Sequence, residues 1–226
     1  MHSVLVLEEA ELIPVLQLEP SVFAMDDRPF PSGLWRDQPQ EWHRYWLESL
    51  ADSGITGLVP VQVGSWHVPT TEFTEPALLR RVLEAIFRNL SEAGFCDQPN
   101  GMPLNGGLAL RSQSHNVLIQ PACCADLGNV ANWREVVRYR RAEWRTLWIG
   151  HPWLLVQYRA PRLIISDPHE NKNPTARWAV SPDQLQVAVD AAEVELERFA
   201  QQIADSLPSD YDAAPSLMSR KLAGLG

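Results

Sequence analysis

The chain has 226 residues, a formal net charge of −9 and a sequence pI of about 5.1, and 45% of its residues are hydrophobic. These values are ordinary for a folded globular protein and exclude extensive disorder. The acidic balance makes nucleic acid an improbable partner, because affinity for nucleic acid depends on cations aligned with phosphates. It favours a basic protein partner instead.

The three cysteines predict a reduced, cytoplasmic protein. Cys123 and Cys124 are neighbours and Cys96 lies far upstream, which is not the pattern of a disulfide framework. The N-terminus lacks the basic start and long apolar run of a signal peptide, since Glu8 and Glu9 interrupt it. No apolar stretch is long enough to cross a bilayer, so we expect no membrane association.

The first half of the chain predicts short strands and two helices. Strands are expected over residues 4–7, 13–18 and 58–63. A helix is expected over residues 41–51, where large apolar side chains fall on one stripe. A clearer helical period follows Thr74 and ends near Gly94, where a glycine suits the helix terminus.

The second half predicts two hairpins and two helices. The hairpins cover residues 108–119 and 153–166. Between them, a Trp- and Arg-rich pattern predicts a helix from Trp133 to about Trp148. The strongest helix prediction begins after Ser181, a suitable N-cap, with Gln184 in the position of a capping-box partner.

Hairpins separated by helices predict an α+β fold, with a largely antiparallel sheet packed by about four helices. We expect residues 1–208 to form a single domain and residues 209–226 to be a weakly ordered tail. No glycine-rich turn follows a predicted strand in the pattern of a nucleotide-binding fold, and no cofactor is expected.

The most distinctive segment runs over residues 120–158, which contain four of the nine tryptophans. Tryptophan needs a large apolar site and a partner for its indole N–H group. The segment therefore predicts either a rigid core or a recognition surface. We expect Trp148 and Trp153 to be buried, so that truncation of either to alanine is strongly destabilising.

A metal site is one chemical alternative for this segment. Its candidate ligands are Cys123, Cys124, His151 and His169, with His115 as a further imidazole. Against this alternative, adjacent side chains in a strand point to opposite faces. The simpler expectation is one buried cysteine and one partly exposed cysteine.

A cysteine nucleophile is a second alternative. Cys124 could use His151 as its base, with Asp126 or Asp167 orienting the imidazole. No flanking signature supports this arrangement, and the chain contains no complete catalytic motif.

Two charged segments have opposite sign. The first is basic and predicts a solvated helix face, although arginine interleaved with tryptophan could also bind phosphate. It comprises Arg134, Arg138, Arg140, Arg141 and Arg145. The last helix is acidic, and a solvated face is the simpler expectation for it. Alternatively, it could offer an anionic stripe to a basic partner through Asp190, Glu193, Glu197 and Asp205.

Three stretches carry a resemblance: residues 123–134, the sequence LWIGHPW at 147–153, and WAVSP at 178–182. Over roughly residues 75 to 205 the chain resembles a group of uncharacterised bacterial proteins whose genes often sit among polymorphic toxin and immunity loci. The resemblance implies a cytoplasmic immunity-type protein, an acidic α+β domain that occludes a toxin's active site. Toxin neutralisation is therefore the leading hypothesis, ahead of a Cys/His-dependent hydrolase or transferase and of a metal-binding regulatory module.

Overall fold

The computed structural model describes residues 4–25, 27–92, 102–170, 174–207 and 215–226. Within these ranges there are nine strands, namely β1 (Leu5–Leu7), β2 (Glu11–Gln17), β3 (His67–Pro69), β4 (Gly106–Ser112), β5 (Val117–Ile119), β6 (Arg145–Leu147), β7 (Leu154–Arg159), β8 (Arg162–Ser166) and β9 (Ala176–Val180). The same ranges contain six helices, namely α1 (Pro20–Phe23), α2 (Pro39–Asp52), α3 (Pro76–Glu92), α4 (Val130–Val137), α5 (Pro182–Ser206) and α6 (Pro215–Leu222). The predicted α+β class is confirmed.

The chain divides into two compact units. The first comprises residues 1–15 and 104–196, and the second comprises residues 16–103 and 197–226. Strand β2 and helix α5 each contribute residues to both units. The single domain expected over residues 1–208 stays a prediction.

The first unit contains a five-stranded sheet in the order β1-β9-β8-β7-β6. All neighbours are antiparallel except β1 and β9, which are parallel. Strands β7 and β8 form the predicted hairpin, with Val156 opposite Ile165. Leu163, Ile164 and Ile165 are all buried, as expected of a strand near the middle of a sheet.

A second hairpin in the first unit joins β4 and β5, with Leu110 opposite Ile119. This pairing confirms the hairpin predicted over residues 108–119. The N-terminal part of β2 lies beside β4, and an ion pair of 2.7 Å joins Glu11 to Arg111 across them.

The helix predicted from Trp133 to Trp148 is wrong in its second half. Helix α4 ends at Val137, and residues 145–147 form β6 instead. In the first turn after the helix, the Arg140 guanidinium donates to the carbonyl oxygen of Val137, which satisfies a helix-terminal acceptor. Strand pairing with β7 places Leu147 in the core, so tertiary contacts override the helical period of this segment.

Helix α5 begins as predicted. The Ser181 hydroxyl accepts a hydrogen bond of 3.3 Å from the Asp183 amide. Gln184 does not complete a capping box, because its side-chain amide donates to the carbonyl oxygen of Glu8. In the first unit the buried face of the helix comprises Leu185, Ala188, Val189, Ala192 and Leu196.

The second unit is mainly helical. Trp46 on α2 is fully buried, and its indole N–H donates to the Leu18 carbonyl oxygen at 3.0 Å. The rings of Phe73 and Phe199 pack with centroids 5.8 Å apart. The strand predicted over residues 58–63 is wrong, since that segment is irregular and β3 forms further along the chain.

The end of the chain also differs from expectation. Within the segment predicted as a weakly ordered tail, residues 215–222 form α6. Leu222 and Ala223 are buried, because this short helix contributes to the core of the second unit. Gly94, Cys96 and Pro208, the last residue of the predicted domain, lie outside the described residues.

Among the described helices, none combines the length and the apolar character that a membrane span requires.

Candidate metal centre

Two chain segments of the first unit meet at this site. The first, residues 120–126, follows β5, and the second, residues 148–153, follows β6. The Ala122 amide donates a hydrogen bond of 2.7 Å to the carbonyl oxygen of Ile149. The His151 amide donates one of 2.9 Å to the carbonyl oxygen of Cys123. These bonds form an isolated antiparallel bridge between Cys123 and His151, which places the cysteine pair beside the imidazole.

The backbone of Cys124 explains why both thiols reach this position. Its φ angle is 64°, in the left-handed region that non-glycine residues seldom adopt. The alternation of a strand is therefore broken, and the two adjacent side chains are not sent to opposite faces. The sulfur atoms of Cys123 and Cys124 and a ring nitrogen of His151 all lie within 4.8 Å of one another.

The exposure of the cluster corrects a second expectation. Both cysteines are free and exposed, and His151 is exposed as well. The expected arrangement of one buried and one partly exposed cysteine is wrong, because the segment leaves the sheet before Cys123. All three donor groups are therefore accessible to solvent and to dissolved ions.

The thiols interact with each other and with the backbone. The Cys123 thiol donates to the carbonyl oxygen of His151 at 3.2 Å. A hydrogen bond between the Cys124 thiol and Cys123, followed by the charge of Cys123 and by desolvation, raises the pKa of the Cys124 thiol. A cysteine nucleophile and a metal-binding cysteine both act as the thiolate, so this shift does not distinguish between the two uses of the pair.

Two tryptophans pack around the imidazole. The ring of His151 lies edge-on to Trp148 at 4.6 Å and edge-on to Trp153 at 5.5 Å between centroids. The two indoles are nearly parallel, with an interplanar angle of 22°. Both are half-buried, so the expectation that they belong to the core is wrong. Their contacts restrict the orientation of the imidazole.

The other histidines proposed as ligands lie elsewhere. His169 pairs with Trp153 through the backbone, its amide donating to the Trp153 carbonyl oxygen at 3.0 Å. Its ring is not part of the cluster of three donors. The Nδ1 atom of His115 is 3.2 Å from the Ser112 hydroxyl and 3.0 Å from that of Ser114. His151 is thus the imidazole that joins the cysteine pair.

The catalytic alternative is assembled only in part. Cys124 and His151 come together, whereas the Asp167 carboxylate accepts a hydrogen bond of 3.1 Å from the Thr175 amide. Asp126 precedes a 3-10 turn at residues 127–129, and burial raises its pKa. Within the described ranges, His151 has no carboxylate partner. A carboxylate that would orient a catalytic imidazole is therefore not found among the residues that the structure describes.

The four carboxylates predicted to face a partner protein already have partners within the chain. In the first unit, Asp190 accepts from the Gln186 amide at 2.6 Å, and Glu193 accepts from Arg134 at 2.7 Å. In the second unit, Glu197 pairs with Arg220, and Asp205 accepts from Gln201 at 2.9 Å. The stripe is less available to a basic partner than its charge alone indicates.

Comparison of the chain with protein-family models, with curated proteins and with solved structures finds no match in any of the three. Side-chain geometry is therefore the guide to function. The resemblance to proteins of toxin and immunity loci stays a prediction.

Proposed function

We propose that this protein binds a thiophilic metal cation through Cys123, Cys124 and His151. The observation that supports this proposal is the convergence of two thiol sulfurs and one imidazole nitrogen within 4.8 Å. Thiolate and imidazole ligands favour the d¹⁰ cations Zn²⁺ and Cu⁺ over hard cations such as Mg²⁺ and Ca²⁺. Binding displaces the thiol protons, so affinity falls as the pH is lowered.

The exposure of the cluster favours reversible binding over a structural role. Structural zinc sites have four protein ligands and are closed, whereas sites that exchange a ligand keep one position open. Here the three donor residues are all exposed, which leaves a coordination position for water or for a donor from another molecule. A carrier or a metal-responsive regulatory module is the class of protein that this arrangement suits.

Preorganisation of the site supports the same proposal. Two backbone hydrogen bonds join the segment of Cys123 to that of His151, and the indoles of Trp148 and Trp153 restrict the imidazole. Ligands that are oriented before binding lose less conformational entropy when the metal arrives. Packing around a ligating histidine also tunes its affinity for the metal.

A reducing compartment is part of the same proposal. Cys123 and Cys124 are adjacent, free and exposed. In an oxidising environment such thiols would be consumed by oxidation, and they persist where glutathione and thioredoxin keep thiols reduced. We therefore place the protein in the cytoplasm as part of this proposal.

Toxin neutralisation remains a second hypothesis. It depends on the resemblance and on the net charge of −9, and co-expression with a neighbouring toxin gene would test it. The metal proposal is preferred because it depends on a specific set of donor atoms. The acidic stripe, in contrast, consists of carboxylates that have intramolecular partners.

Metal titration tests the proposal directly. The reduced protein is titrated with Co²⁺ as a spectroscopic probe of thiolate ligation, and then with Zn²⁺ and Cu⁺ in competition with chelators of known affinity. We expect one equivalent to bind and sulfur-to-metal charge-transfer absorption to appear. The substitutions Cys123→Ser, Cys124→Ser and His151→Asn should each weaken binding by more than about tenfold.

The controls use residues of the same type that are not among the three donors. Cys96→Ser removes a thiol but keeps the pair, and His169→Asn removes an imidazole but keeps His151. Both variants should bind metal as tightly as the unchanged chain. Loss of binding in the control variants, or retention of binding without Cys124 or His151, would contradict the proposal. The competition also decides between Zn²⁺ and Cu⁺.

A further inference from the structure

A second candidate site lies in the first unit, around the end of helix α4. It is an open groove of about 570 Å³ lined by five arginines and Tyr139. The arginines are the basic segment of the sequence, namely Arg134, Arg138, Arg140, Arg141 and Arg145. Because α4 ends at Val137, the chain turns here and gathers these side chains around one depression.

Two of the five arginines are neutralised by carboxylates. Arg134 donates to Glu193 at 2.7 Å, and Arg145 pairs with Glu135, which also lines the groove. Both pairs are partly exposed, so they contribute little to stability. Their main effect is to fix the position of two guanidinium groups at the edge of the groove.

Arg140 is fixed without any carboxylate. Its guanidinium donates to the carbonyl oxygens of Val137 and Tyr139, at 2.6 and 3.0 Å. It also lies 5.2 Å from the centre of the Tyr158 ring, a cation–π contact. Backbone carbonyls and an aromatic face orient a guanidinium but leave its full positive charge in place.

Arg138 and Arg141 are exposed. Throughout the described ranges, their guanidinium groups have no hydrogen-bond or ion-pair partner. Together with Arg140, they give the groove three guanidinium groups that form no ion pair with a carboxylate of those ranges. This local excess stands out in a chain whose net charge is −9.

We infer that this groove binds a small ligand that carries a polyphosphate group, such as a nucleoside diphosphate or triphosphate. Guanidinium groups match the geometry of phosphate oxygens and can contact them in pairs. A volume of about 570 Å³ lies within the range typical of small-molecule sites. Several adjacent phosphates are needed to engage three separate guanidinium groups, so a single phosphate binds less tightly.

The charge of the whole chain argues for a small ligand over a long nucleic acid. A nucleic acid strand would extend beyond the groove and meet the excess of carboxylates that gives the chain its charge of −9. Repulsion from those carboxylates opposes an extended polyanion, whereas a small polyphosphate is confined to the basic groove. The groove shares no lining residue with the metal site, so either proposal can fail without the other.

Isothermal titration of the metal-free protein tests the inference. The probes are inorganic tripolyphosphate, ADP, inorganic phosphate and a short single-stranded RNA. Tripolyphosphate and ADP should bind, and inorganic phosphate should bind at least about tenfold more weakly. The double substitution Arg138→Gln/Arg141→Gln should weaken tripolyphosphate binding by about a hundredfold and leave the thermal midpoint unchanged, since neither guanidinium has a partner among the described residues.

A matched control separates the groove from the overall electric field. Arg36→Gln/Arg44→Gln makes the same change in net charge at two exposed arginines outside the groove. Unchanged affinity in this control supports the inference. Equal loss of affinity in both double variants, no binding of tripolyphosphate by the unchanged chain, or tighter binding of RNA than of tripolyphosphate would each overturn it.

Discussion

Gly150 packs directly against the backbone of Cys123. Its φ angle is 100°, a conformation that favours glycine. A β-carbon at this position would lie 2.5 Å from the carbonyl oxygen of Ala122 and closer still to that of Cys123. The close approach lets the two segments of the metal site form their backbone hydrogen bonds. Any larger residue at position 150 would push the cysteine pair away from His151.

We therefore predict that Gly150→Ala disrupts the metal site and destabilises the fold. Backbone strain at a non-glycine residue costs about 1–3 kcal/mol, and the clash adds to it. Thermal unfolding and Co²⁺ titration measure the two effects. The control is Gly57→Ala, because Gly57 also has a positive φ, but a β-carbon added there would meet no other atom within 4 Å. Equal metal affinity in both variants would show that the close approach is unimportant for the site.

Truncation of two tryptophans should separate the core from the metal site. Trp133 is fully buried, so Trp133→Ala should destabilise the protein by about 3–5 kcal/mol. Trp148 is half-buried against His151, so Trp148→Ala should cost only roughly 1–2 kcal/mol. Trp148→Ala should also weaken metal binding by about tenfold, because the His151 imidazole loses an aromatic ring that orients it.

Urea unfolding and metal titration of both variants check this prediction. Trp148→Phe serves as the conservative variant, since it keeps an aromatic ring beside the imidazole and should recover most of the affinity. The idea that Trp148 positions His151 would be abandoned if Trp148→Ala bound metal as tightly as the unchanged chain.

Much of the fold can be predicted from local patterns. Both hairpins of the first unit and the start of α5 at Ser181 follow from the sequence, because alternation and capping are properties of a few adjacent residues. The end of α4 cannot be predicted in this way. The spacing of large apolar side chains from Trp133 to Trp148 fits a helix. Residues 145–147 are extended because they pair with strand β7, which the local pattern does not reveal.

The candidate site illustrates the same limit. The residue types are visible in the sequence, which offers Cys123, Cys124 and His151 as possible ligands. Their convergence depends on the left-handed conformation of Cys124, for which a cysteine gives no local signal. It also depends on a bridge between segments separated by 28 residues, which local periodicity cannot reveal.

Replacement of Asp126 by asparagine should stabilise the protein at neutral pH. Burial raises the pKa of this carboxyl above its ordinary value of 3.8, so the folded state disfavours the charged form. The protonated carboxyl group of Asp126 contributes fully to stability below its ordinary pKa. This contribution is lost as the pH rises through the raised pKa of the folded state. Asp126→Asn removes that loss because the amide stays neutral.

Urea unfolding at neutral and acidic pH, on the variant and the unchanged chain, measures this difference. The gain in stability should be present at neutral pH and absent at acidic pH. Asp183→Asn is the control, because Asp183 is exposed. A loss of stability at neutral pH in Asp126→Asn would mean that the carboxylate makes a favourable interaction that outweighs its desolvation.

The acid stability of the second unit should depend on Asp52. Its carboxylate accepts hydrogen bonds from Arg28 at 2.7 and 2.8 Å and from the Met25 amide at 3.1 Å. The Arg28 guanidinium, and then that amide, lower the pKa of Asp52 below its ordinary value of 3.8. This stabilisation is present above the ordinary pKa and is lost as the pH falls through the lowered value. Asp52→Asn should therefore lower the thermal midpoint at neutral pH and make the midpoint fall less as the pH is lowered.

Glu48→Gln is the control, because Glu48 pairs with the same arginine but is more exposed. It should change the pH dependence of the thermal midpoint much less than Asp52→Asn does. Identical pH dependence in the two variants would refute the role given to Asp52.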